Sequence, residues 1–314
     1  MIERIAKFNE LTPSTLPFVE GRLDGHKERK NYSIVGPGVA EDSGQSVKIS
    51  QAHGYNLGAV SANPKNGSGL HSHTTAEVFL IYSGKWRFYW GQDGKNEIIL
   101  GKGDIISMPT NMFRGFENAG EDEGLIFVVL GNDDPGIITW VPKVLINAKE
   151  TGLALLNDNS LIDLKKNDIP NGKKLLEPIS NELLNTFDNY SLDEIEKFIC
   201  KFNNQSKFEH SLNDKIKLIQ IIGNQFCDQN YKPLISHNTG FNLSILKSMN
   251  GKIEDLIFKE PTILFSQKGL WTIKINNDDF KIDSKDTFSV PLNTKISISV
   301  ENIEDCYLNC VSKI

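Results

Sequence analysis

Long hydrophobic runs are absent from this chain of 314 residues, and the longest ones, such as residues 125–130, have the length of a β-strand. A membrane-spanning helix needs about 20 consecutive apolar residues, so the sequence predicts no membrane partner. Runs of lysine and arginine are absent as well, and the formal net charge is -6. Nucleic acid is therefore not an expected partner.

Cysteine is scarce and forms no recognisable motif. The four cysteines, Cys200, Cys227, Cys306 and Cys310, show no Cys-x-x-Cys spacing. Cys306 and Cys310 lie on one face of a predicted terminal strand, where thiol ligands or a redox pair are conceivable. Buried reduced thiols are the more common case, and we assign no role to any of the four.

A secretory signal is not visible at the N-terminus. Glu3, Arg4 and Lys7 are charged, and no apolar segment follows them. A cytoplasmic location is therefore expected.

The composition is that of a globular protein, with 39% hydrophobic and 24% charged residues. The length is typical of about two domains. From about residue 55, short apolar segments alternate with Gly, Asn and Asp turns, as in a β-sandwich or barrel. The predicted strands are residues 57–61, 78–82, 86–90, 97–100, 104–108 and 125–130.

One of these strands alternates strictly between apolar and polar side chains. Trp86, Phe88 and Trp90 share one face of it. We interpret this aromatic face as core rather than as the wall of a ligand pocket, because aromatic side chains bury large apolar areas.

Residues 172 to 230 change character and are predicted to be helical. Residues 191–194 form a capping-box pattern, and apolar residues then recur at helical spacing up to Phe202. A second helix is predicted to start at Ser211, with Ile216, Ile219 and Ile222 on one face and Gly223 as its stop.

The β pattern returns after this stretch and repeats the first half of the chain. Residues 55–57, 84–86 and 104–109 are echoed by residues 241–243, 269–271 and 286–291. The offset shifts by three residues between the last two matches, as a shorter hairpin loop would produce. The repeat indicates two barrels related by duplication.

The strongest chemical signal is His71-Ser72-His73, followed by Glu77. Side chains two apart on a strand share a face, and Glu77 joins them if the strand continues. Two imidazoles and one carboxylate on one side of an ion leave its other positions open, as in non-haem Fe(II) oxygenases. The spacing therefore predicts a metal site built from His71, His73 and Glu77.

At these residues the chain resembles the cupin superfamily. The first cupin motif reads Gly, five residues, His-x-His, three or four residues, Glu, six residues, Gly. His71, His73, Glu77 and Gly84 fit this motif, whereas Lys65 stands at the place of its opening Gly.

The second cupin motif reads Gly-x5-Pro-x-Gly-x2-His-x3-Asn. Gly103, Pro109 and Asn118 fit it, and Asn111 stands in for its second Gly. Arg114 stands where the family has a His as the fourth metal ligand. The resemblance covers about residues 50 to 135.

Together with the repeat, the resemblance implies an all-β bicupin, in which two jelly-roll β-barrels are joined by a helical connector. We expect an N-terminal barrel with the metal site at residues 1–150, a mainly helical connector at 151–235, and a C-terminal barrel at 236–314. In the second copy, Leu256, Phe258 and Thr262 fall at the places of the three ligands, and Ile296 replaces Arg114. The second barrel is therefore expected to hold no metal and to serve as structure, as a dimerisation surface or as a lid.

Arg114 raises an electrostatic question. At about 5 Å and an effective dielectric constant of about 20, each unit of charge on a metal repels the guanidinium by roughly 3 kcal/mol. Three resolutions are open: Arg114 points away, it binds an anionic substrate that also reaches the metal, or it pairs with Glu77 in a site that holds no metal. The planar guanidinium matches a carboxylate well, which favours the second.

His53 precedes the strand at Tyr55 and is a second candidate catalytic residue, as a further ligand or general base. A hydrogen-bonded structural role is the alternative.

The resemblance implies a metal-dependent enzyme acting on a small anionic substrate, in the first instance a dioxygenase-type oxidoreductase. A metal-dependent lyase or isomerase and a non-catalytic binding or sensor module are the alternatives, because the fold alone does not select a reaction. The expected cofactor is a divalent transition metal, with Fe(II) favoured over Mn, Ni or Zn. A homodimer is a further possibility.

Overall fold

The computed structural model describes residues 4–42, 44–223 and 232–314, and these residues are almost entirely strands and loops. Up to residue 140 the strands are β1 (Ile5–Ala6), β2 (Arg29–Val35), β3 (Val47–Ile49), β4 (Tyr55–Ala62), β5 (Gly67–Ser72), β6 (Glu77–Ser83), β7 (Lys85–Trp90), β8 (Asn96–Gly101), β9 (Ile105–Met108), β10 (Arg114–Asn118), β11 (Gly124–Gly131) and β12 (Thr139–Trp140). The next elements are α1 (Pro142–Glu150), β13 (Leu153–Leu155), β14 (Leu161–Asp163), α2 (Asn181–Leu184), α3 (Leu192–Glu196), β15 (Ile199–Cys200), α4 (Phe202–Gln205) and β16 (Glu209–Ser211). The last strands are β17 (Lys217–Ile222), β18 (Phe241–Ile257), β19 (Thr262–Lys268), β20 (Trp271–Ile275), β21 (Asp278–Ile282), β22 (Thr287–Val290) and β23 (Lys295–Lys313). All six strands predicted from the sequence are present, and the all-β prediction is confirmed.

The first barrel consists of two sheets. One has the strand order β15-β9-β6-β11-β4-β2-β3 and the other the order β12-β5-β10-β7-β8. Trp86, Phe88 and Trp90 alternate inward on β7 and are fully buried. Phe79 and Phe116 contact these rings, with centroids 5.0 Å apart for Phe79 and Phe88 and 5.9 Å apart for Trp86 and Phe116. The interpretation of this face as core is confirmed.

The second barrel is one curled sheet in which β18 and β23 pair along most of their length. Its register reproduces that of the first barrel. His71 faces Arg114 between β5 and β10, and Leu256 faces Ile296 between β18 and β23. The structure therefore confirms the correspondence that the sequence repeat predicted at these positions.

The matching hairpins turn at glycines that no other residue replaces without strain. Gly84 has φ +86° and Gly269 has φ +96°, in the left-handed region. A Cβ atom on Gly84 would also approach the Cα of Gly124 to 3.0 Å. These glycines set the strand-to-strand turn of each barrel.

The two barrels exchange short strands. β1, at the start of the chain, pairs with β22 of the second barrel, and β15, from the connector, pairs with β9 of the first. In the second barrel Asp286 accepts a hydrogen bond from the Phe8 N–H at 3.0 Å and pairs with Lys7 at 2.7 Å.

The first barrel has an equivalent contact. Asp104 accepts a hydrogen bond from the Phe202 N–H at 2.9 Å and pairs with Lys201 at 3.3 Å. The Lys-Phe dipeptides that follow β1 and β15 therefore hold corresponding positions on opposite barrels, and the duplication extends to both.

The connector is less helical than predicted. The capping box is present, because Ser191 and Glu194 satisfy each other's backbone N–H, but α3 is only 5 residues long. Most of residues 151–208 are loops around β13, β14 and short helices. Tertiary packing of single turns, rather than long amphipathic helices, fills this region.

The helix predicted to begin at Ser211 is wrong. Residues 217–222 form β17, which pairs with β16 on one side and with β18 on the other. Spacings of three residues in Ile216, Ile219 and Ile222 suit a helix, yet β-branched side chains also suit a strand that is buried on both faces. The second barrel's sheet consequently begins near residue 209, before the predicted boundary at 236.

The described cysteines are buried reduced thiols, as the sequence analysis expected. Cys200, Cys306 and Cys310 are buried and form no disulfide, and Cys227 lies outside the described residues. Among the described residues, no helix is both long enough and apolar enough to span a membrane.

Candidate metal centre

The structure brings the three predicted metal ligands together with Arg114. His71 lies on β5, His73 follows that strand, Glu77 begins β6 and Arg114 begins β10. One ligand atom from each of His71, His73 and Glu77 can be chosen so that all lie within 4.8 Å of one another. All four side chains are buried, with residue exposures of 1% to 4%.

At two positions where the chain departs from the cupin motifs, a residue other than glycine has a positive φ, the conformation that glycine adopts most easily. Lys65, at the place of the opening Gly, has φ +63°, and Asn111, at the place of the second Gly, has φ +56°. Asn111 also donates its N–H to the carbonyl oxygen of His73 at 3.0 Å. The left-handed conformation costs roughly 1–2 kcal/mol for a residue with a side chain, and asparagine tolerates it best. The turn next to the histidines is therefore kept without glycine.

The two histidines differ in their hydrogen bonds. His71 Nδ1 lies 2.7 Å from the carbonyl oxygen of Gly69 and donates to it, because a carbonyl only accepts. The lone pair of a neutral His71 is therefore on Nε2. His73 has no partner for either ring nitrogen among the described residues, although both are buried. An unpaired buried imidazole is unfavourable unless something coordinates it, so the donor set fits a metal ion.

Burial keeps both imidazoles neutral. Desolvation, reinforced by the nearby Arg114, lowers the pKa of His71 to about 3. Desolvation and then Arg114 also hold the pKa of His73 well below its ordinary value. Metal ions bind the neutral form of imidazole, so the site is in the required state at neutral pH.

Glu77 presents its two carboxylate oxygens to different neighbours. Oε1 lies 3.7 Å from His73 Nε2, whereas Oε2 accepts a hydrogen bond from Arg114 Nε at 3.1 Å. Arg114 Nη1 donates to the carbonyl oxygen of Met112 at 3.1 Å, and Nη2 is buried without a partner among the described residues. Burial raises the pKa of Glu77 and lowers that of Arg114, and their pairing opposes both shifts. The pair with Arg114 therefore leaves one oxygen of Glu77 facing the histidines.

A small cavity of about 70 Å³ adjoins the three ligands. Tyr32 is the one further ionisable side chain among the described residues that line it, and Asn31, Ser33 and Gln45 add polar groups. Its other walls are largely apolar and include Phe18, Val39, Leu57, Phe116, Leu130 and Ile138.

His53 lies at the contact between the barrels. Its Nδ1 donates to the carbonyl oxygen of Gln51 at 2.6 Å, and its Nε2 is 2.9 Å from Ser289 Oγ in the second barrel. The contacts that the structure describes for His53 do not include the three ligands, and it is not among the described residues that line the cavity. Its predicted role as a ligand or base stays a prediction that this placement does not favour.

The second barrel does not repeat the metal site. Leu256 and Phe258 offer no ligand atom, and among the described residues His71, His73 and Glu77 are the one group that could hold an ion. We expect metal-loaded protein to contain one metal per chain. Elemental analysis against protein concentration tests this, and two metals per chain, with one assigned to the second barrel, would contradict the correspondence.

Acid is expected to destabilise the metal-free protein through His71. The folded chain keeps this imidazole neutral down to about pH 3, whereas in the unfolded chain it takes up a proton near 6.5. The unfolded state binds more protons in that window, so stability falls as the pH falls, by about 1.4 kcal/mol per pH unit for this one group. Unfolding free energies of wild type and His71→Gln in a chelator, between pH 6 and pH 4, should differ in slope by that amount. Equal slopes would contradict it.

Sequence reasoning missed a buried acidic residue beside the site. Glu20 is fully buried and accepts hydrogen bonds from the Gly69 N–H at 2.8 Å and from Ser68 Oγ at 2.9 Å. Glu20 lies far from the histidines in the sequence and outside both motifs. In the sequence, only the glycines at 67 and 69 indicated that other groups approach this strand closely.

Comparisons with known proteins agree with this geometry. The family described as "Cupin domain" matches residues 59–130. A search of curated proteins finds no match. Among solved structures, a point mutant of Bacillus subtilis oxalate decarboxylase matches with a TM-score of 0.59 at 12% identity, covering 100% of this chain and 78% of that one. Another structure of that enzyme, from work on its Mn(II) centres, matches with a TM-score of 0.56 at 14% identity and covers 100% and 78% of the two chains.

A plant protein has the same architecture. The Momordica charantia 7S globulin matches with a TM-score of 0.56 at 11% identity, covering 98% of this chain and 83% of that one. Identities this low show the fold and leave the activity open. With a cupin-domain match in the first barrel and two barrels in register, the chain has a bicupin fold whose second barrel lacks the metal ligands at the corresponding positions.

Proposed function

We propose that the first barrel binds one divalent transition metal through His71, His73 and Glu77 and uses it on a small carboxylate that enters the adjoining cavity. The observation that carries the proposal is His73, whose two buried ring nitrogens have no partner among the described residues beside an acceptor carboxylate. A buried polar group left in this state is costly, and coordination removes part of the cost.

Two imidazoles and one carboxylate suit Fe(II), Mn(II), Ni(II) and Zn(II) alike. We favour Fe(II), because three protein ligands on one side leave the remaining positions open, as in the 2-His-1-carboxylate oxygenases. A bound metal would supply a Lewis acid and open coordination positions for substrate or oxygen.

Arg114 supports an anionic substrate. Its Nε and Nη1 are used by Glu77 and Met112, and Nη2 remains as a buried donor without a partner. Arg114 orients Glu77. It is not among the described residues that line the cavity, so in this proposal Nη2 serves a carboxylate that lies against the ligands on the Arg114 side rather than against the cavity walls. The negative charge of Glu77, lying between guanidinium and metal, offsets the repulsion between the two cations.

The cavity walls bear on the reaction class. Apart from the three ligands, Tyr32 is the one ionisable side chain among the described residues that line the cavity. Few groups of this protein are therefore placed to act as general acid or base. This favours oxidation of the substrate by oxygen, the dioxygenase-type reaction, over a lyase or isomerase reaction that moves protons through side chains. The same scarcity suits a non-catalytic binding module, which is the second candidate.

One experiment separates these functions. Protein loaded anaerobically with Fe(II) is mixed with a panel of mono- and dicarboxylates that includes oxalate, and both oxygen uptake and carbon dioxide release are recorded. Carboxylate-dependent oxygen uptake that is absent from Zn(II)-loaded protein supports the dioxygenase proposal. Carbon dioxide release without oxygen uptake indicates a lyase. Binding without turnover indicates the module, and wild type that takes up no metal refutes the proposal altogether.

The cytoplasmic location and the homodimer stay predictions. The function proposed here needs neither of them.

A further inference from the structure

The chain between residues 18 and 29, which we call the wrap segment, packs against the first half of β5. The Gly67 N–H donates to the carbonyl oxygen of Gly25 at 2.8 Å. The carbonyl oxygen of Gly67 accepts from Arg29 Nη1 at 2.8 Å and from His26 Nδ1 at 3.0 Å. β5 carries His71 at its far end, so the wrap segment holds the strand on which a metal ligand sits.

Glu20 is the centre of these contacts. Its Oε1 accepts from Arg29 Nη1 and from Ser68 Oγ, each at 2.9 Å, and its Oε2 accepts from the Gly69 N–H at 2.8 Å. Burial by itself would raise the pKa of Glu20, but His26 and Arg29 hold it below its ordinary value. The carboxylate is therefore ionised and makes three charge-assisted hydrogen bonds in a site closed to water.

Two residues that Glu20 binds also hold the ring of His71. The carbonyl oxygen of Gly69 accepts from His71 Nδ1 at 2.7 Å, and Ser68 Oγ lies 3.4 Å from the same nitrogen. A Cβ atom on Gly69 would come within 2.6 Å of Glu20 Oε2, so the close approach of the carboxylate requires glycine at this position. Glu20 thus reaches the imidazole by two routes, one through the backbone of Gly69 and one through the hydroxyl of Ser68.

We propose that Glu20 is a positioning residue for the metal site, which fixes the orientation and the Nδ1–H tautomer of His71 through Ser68 and Gly69. This inference rests on the proposed function. A ligating histidine usually donates its second N–H to a backbone carbonyl or carboxylate, and loss of such support weakens metal binding about 10- to 100-fold. Glu20 supports the carbonyl that receives that N–H.

A purely structural ion pair with Arg29 is the competing explanation, and a second ion pair of the wrap segment is the matched control. Arg22 pairs with Asp163 on β14, away from β5. Asp163→Asn removes an ion pair that holds the same segment but does not touch Ser68 or Gly69. If Glu20 only stabilises the wrap segment, a Glu20 variant and Asp163→Asn should have the same effect on metal affinity.

The test uses Co(II), whose visible absorption reports its coordination, on the full-length wild type, Glu20→Gln and Asp163→Asn. The Gln side chain keeps one acceptor oxygen, but its NH₂ group faces a donor, so at least one of the three hydrogen bonds is lost and the remaining ones are no longer charge-assisted. We expect Glu20→Gln to weaken Co(II) binding about 10- to 100-fold and to change the spectrum of the bound ion. We expect Asp163→Asn to bind Co(II) like wild type. The rise in melting temperature produced by a fixed Co(II) concentration should shrink in Glu20→Gln only, because this rise depends on affinity and not on the stability of the metal-free fold.

A second variant covers the case in which Glu20→Gln does not fold because Arg29 is left unpaired. Glu20→Gln combined with Arg29→Met removes both charges, and replacing a buried ion pair by groups of similar volume is often neutral for stability. The double variant is expected to show the same loss of Co(II) affinity. Wild type that binds no Co(II) refutes the proposed function. Wild type that binds Co(II), with both Glu20 variants binding equally well, overturns this inference and leaves the proposed function standing.

Discussion

Replacing His73 by alanine is expected to abolish stoichiometric metal while leaving the fold intact. The structure gives this ring no hydrogen bond among the described residues, so its removal breaks none. Apparent binding free energies of four-ligand zinc sites are about 10–16 kcal/mol, which is roughly 3 kcal/mol per ligand and about a 100-fold loss of affinity for one of them. Elemental analysis after metal loading and desalting measures the outcome, and circular dichroism checks the fold.

The second barrel offers the matched control for this variant. Phe258 holds the place of His73 in the repeat, and Phe258→Ala should leave the metal content unchanged although it shortens a side chain in the hydrophobic core of the second barrel. His71→Ala should lose metal as His73→Ala does. Metal kept at the wild-type level in both histidine variants would refute the site.

Arg114→Ala is expected to weaken the binding of the tightest carboxylate in the panel by about 1.5–3 kcal/mol, the scale of a hydrogen bond to a charged group. Metal content at saturating metal should change little, because Oε1 of Glu77 still faces His73. The metal-free variant should be less stable by about 3–5 kcal/mol, since Glu77 loses its buried partner, and metal should restore part of this. Isothermal titration calorimetry with carboxylate and denaturant unfolding with and without metal measure the three quantities.

Three further variants show what Arg114 does. Arg114→Lys keeps the charge and loses the planar fork, so it should recover stability more than carboxylate affinity. Arg114→His should complete a four-ligand shell and tighten metal binding at the expense of the carboxylate. Ile296→Ala, at the corresponding place in the second barrel, should change neither affinity. A rise in metal affinity without any effect on carboxylate binding would retire Arg114 as a substrate-binding residue and leave it as the partner of Glu77.

The sequence predicted which three candidate ligands the fold brings together, because their spacing is local. Three ligands within seven residues, next to a strand, need only the alternation of side chains to meet. The correspondence of Leu256 with His71 and of Ile296 with Arg114 followed from the repeat, since hairpin turns such as those at Gly84 and Gly269 fix the pairing of neighbouring strands.

Long-range partners were not predictable in the same way. No spacing rule connects Glu20 to Ser68 and Gly69, because the wrap segment reaches β5 through tertiary packing. The state of Arg114 was left among three possibilities, and the contact with Glu77 across two strands decided its immediate partner.

The prediction of a helix at the residues of β17 failed for a different reason. Isoleucines at 216, 219 and 222 have the spacing of a helix face. Residues 218–222 are nevertheless all buried, which is the pattern of a strand that is covered on both faces. Periodicity alone does not distinguish a short fully buried strand from a helix, and the pairing with β18 decides in favour of the strand.

The exchange of β1 and β15 between the barrels points to how this chain originated. If each half were a separate protein, its first strand would lie on its neighbour, which is the arrangement of a homodimer with swapped arms. Joining the two halves in one chain makes such an association intramolecular and independent of concentration. Neither half carries all of its own sheet, so a gene fragment that encodes one barrel produces an unfinished edge. Each half is therefore needed to complete the sheet of the other, although only the first carries the three candidate ligands.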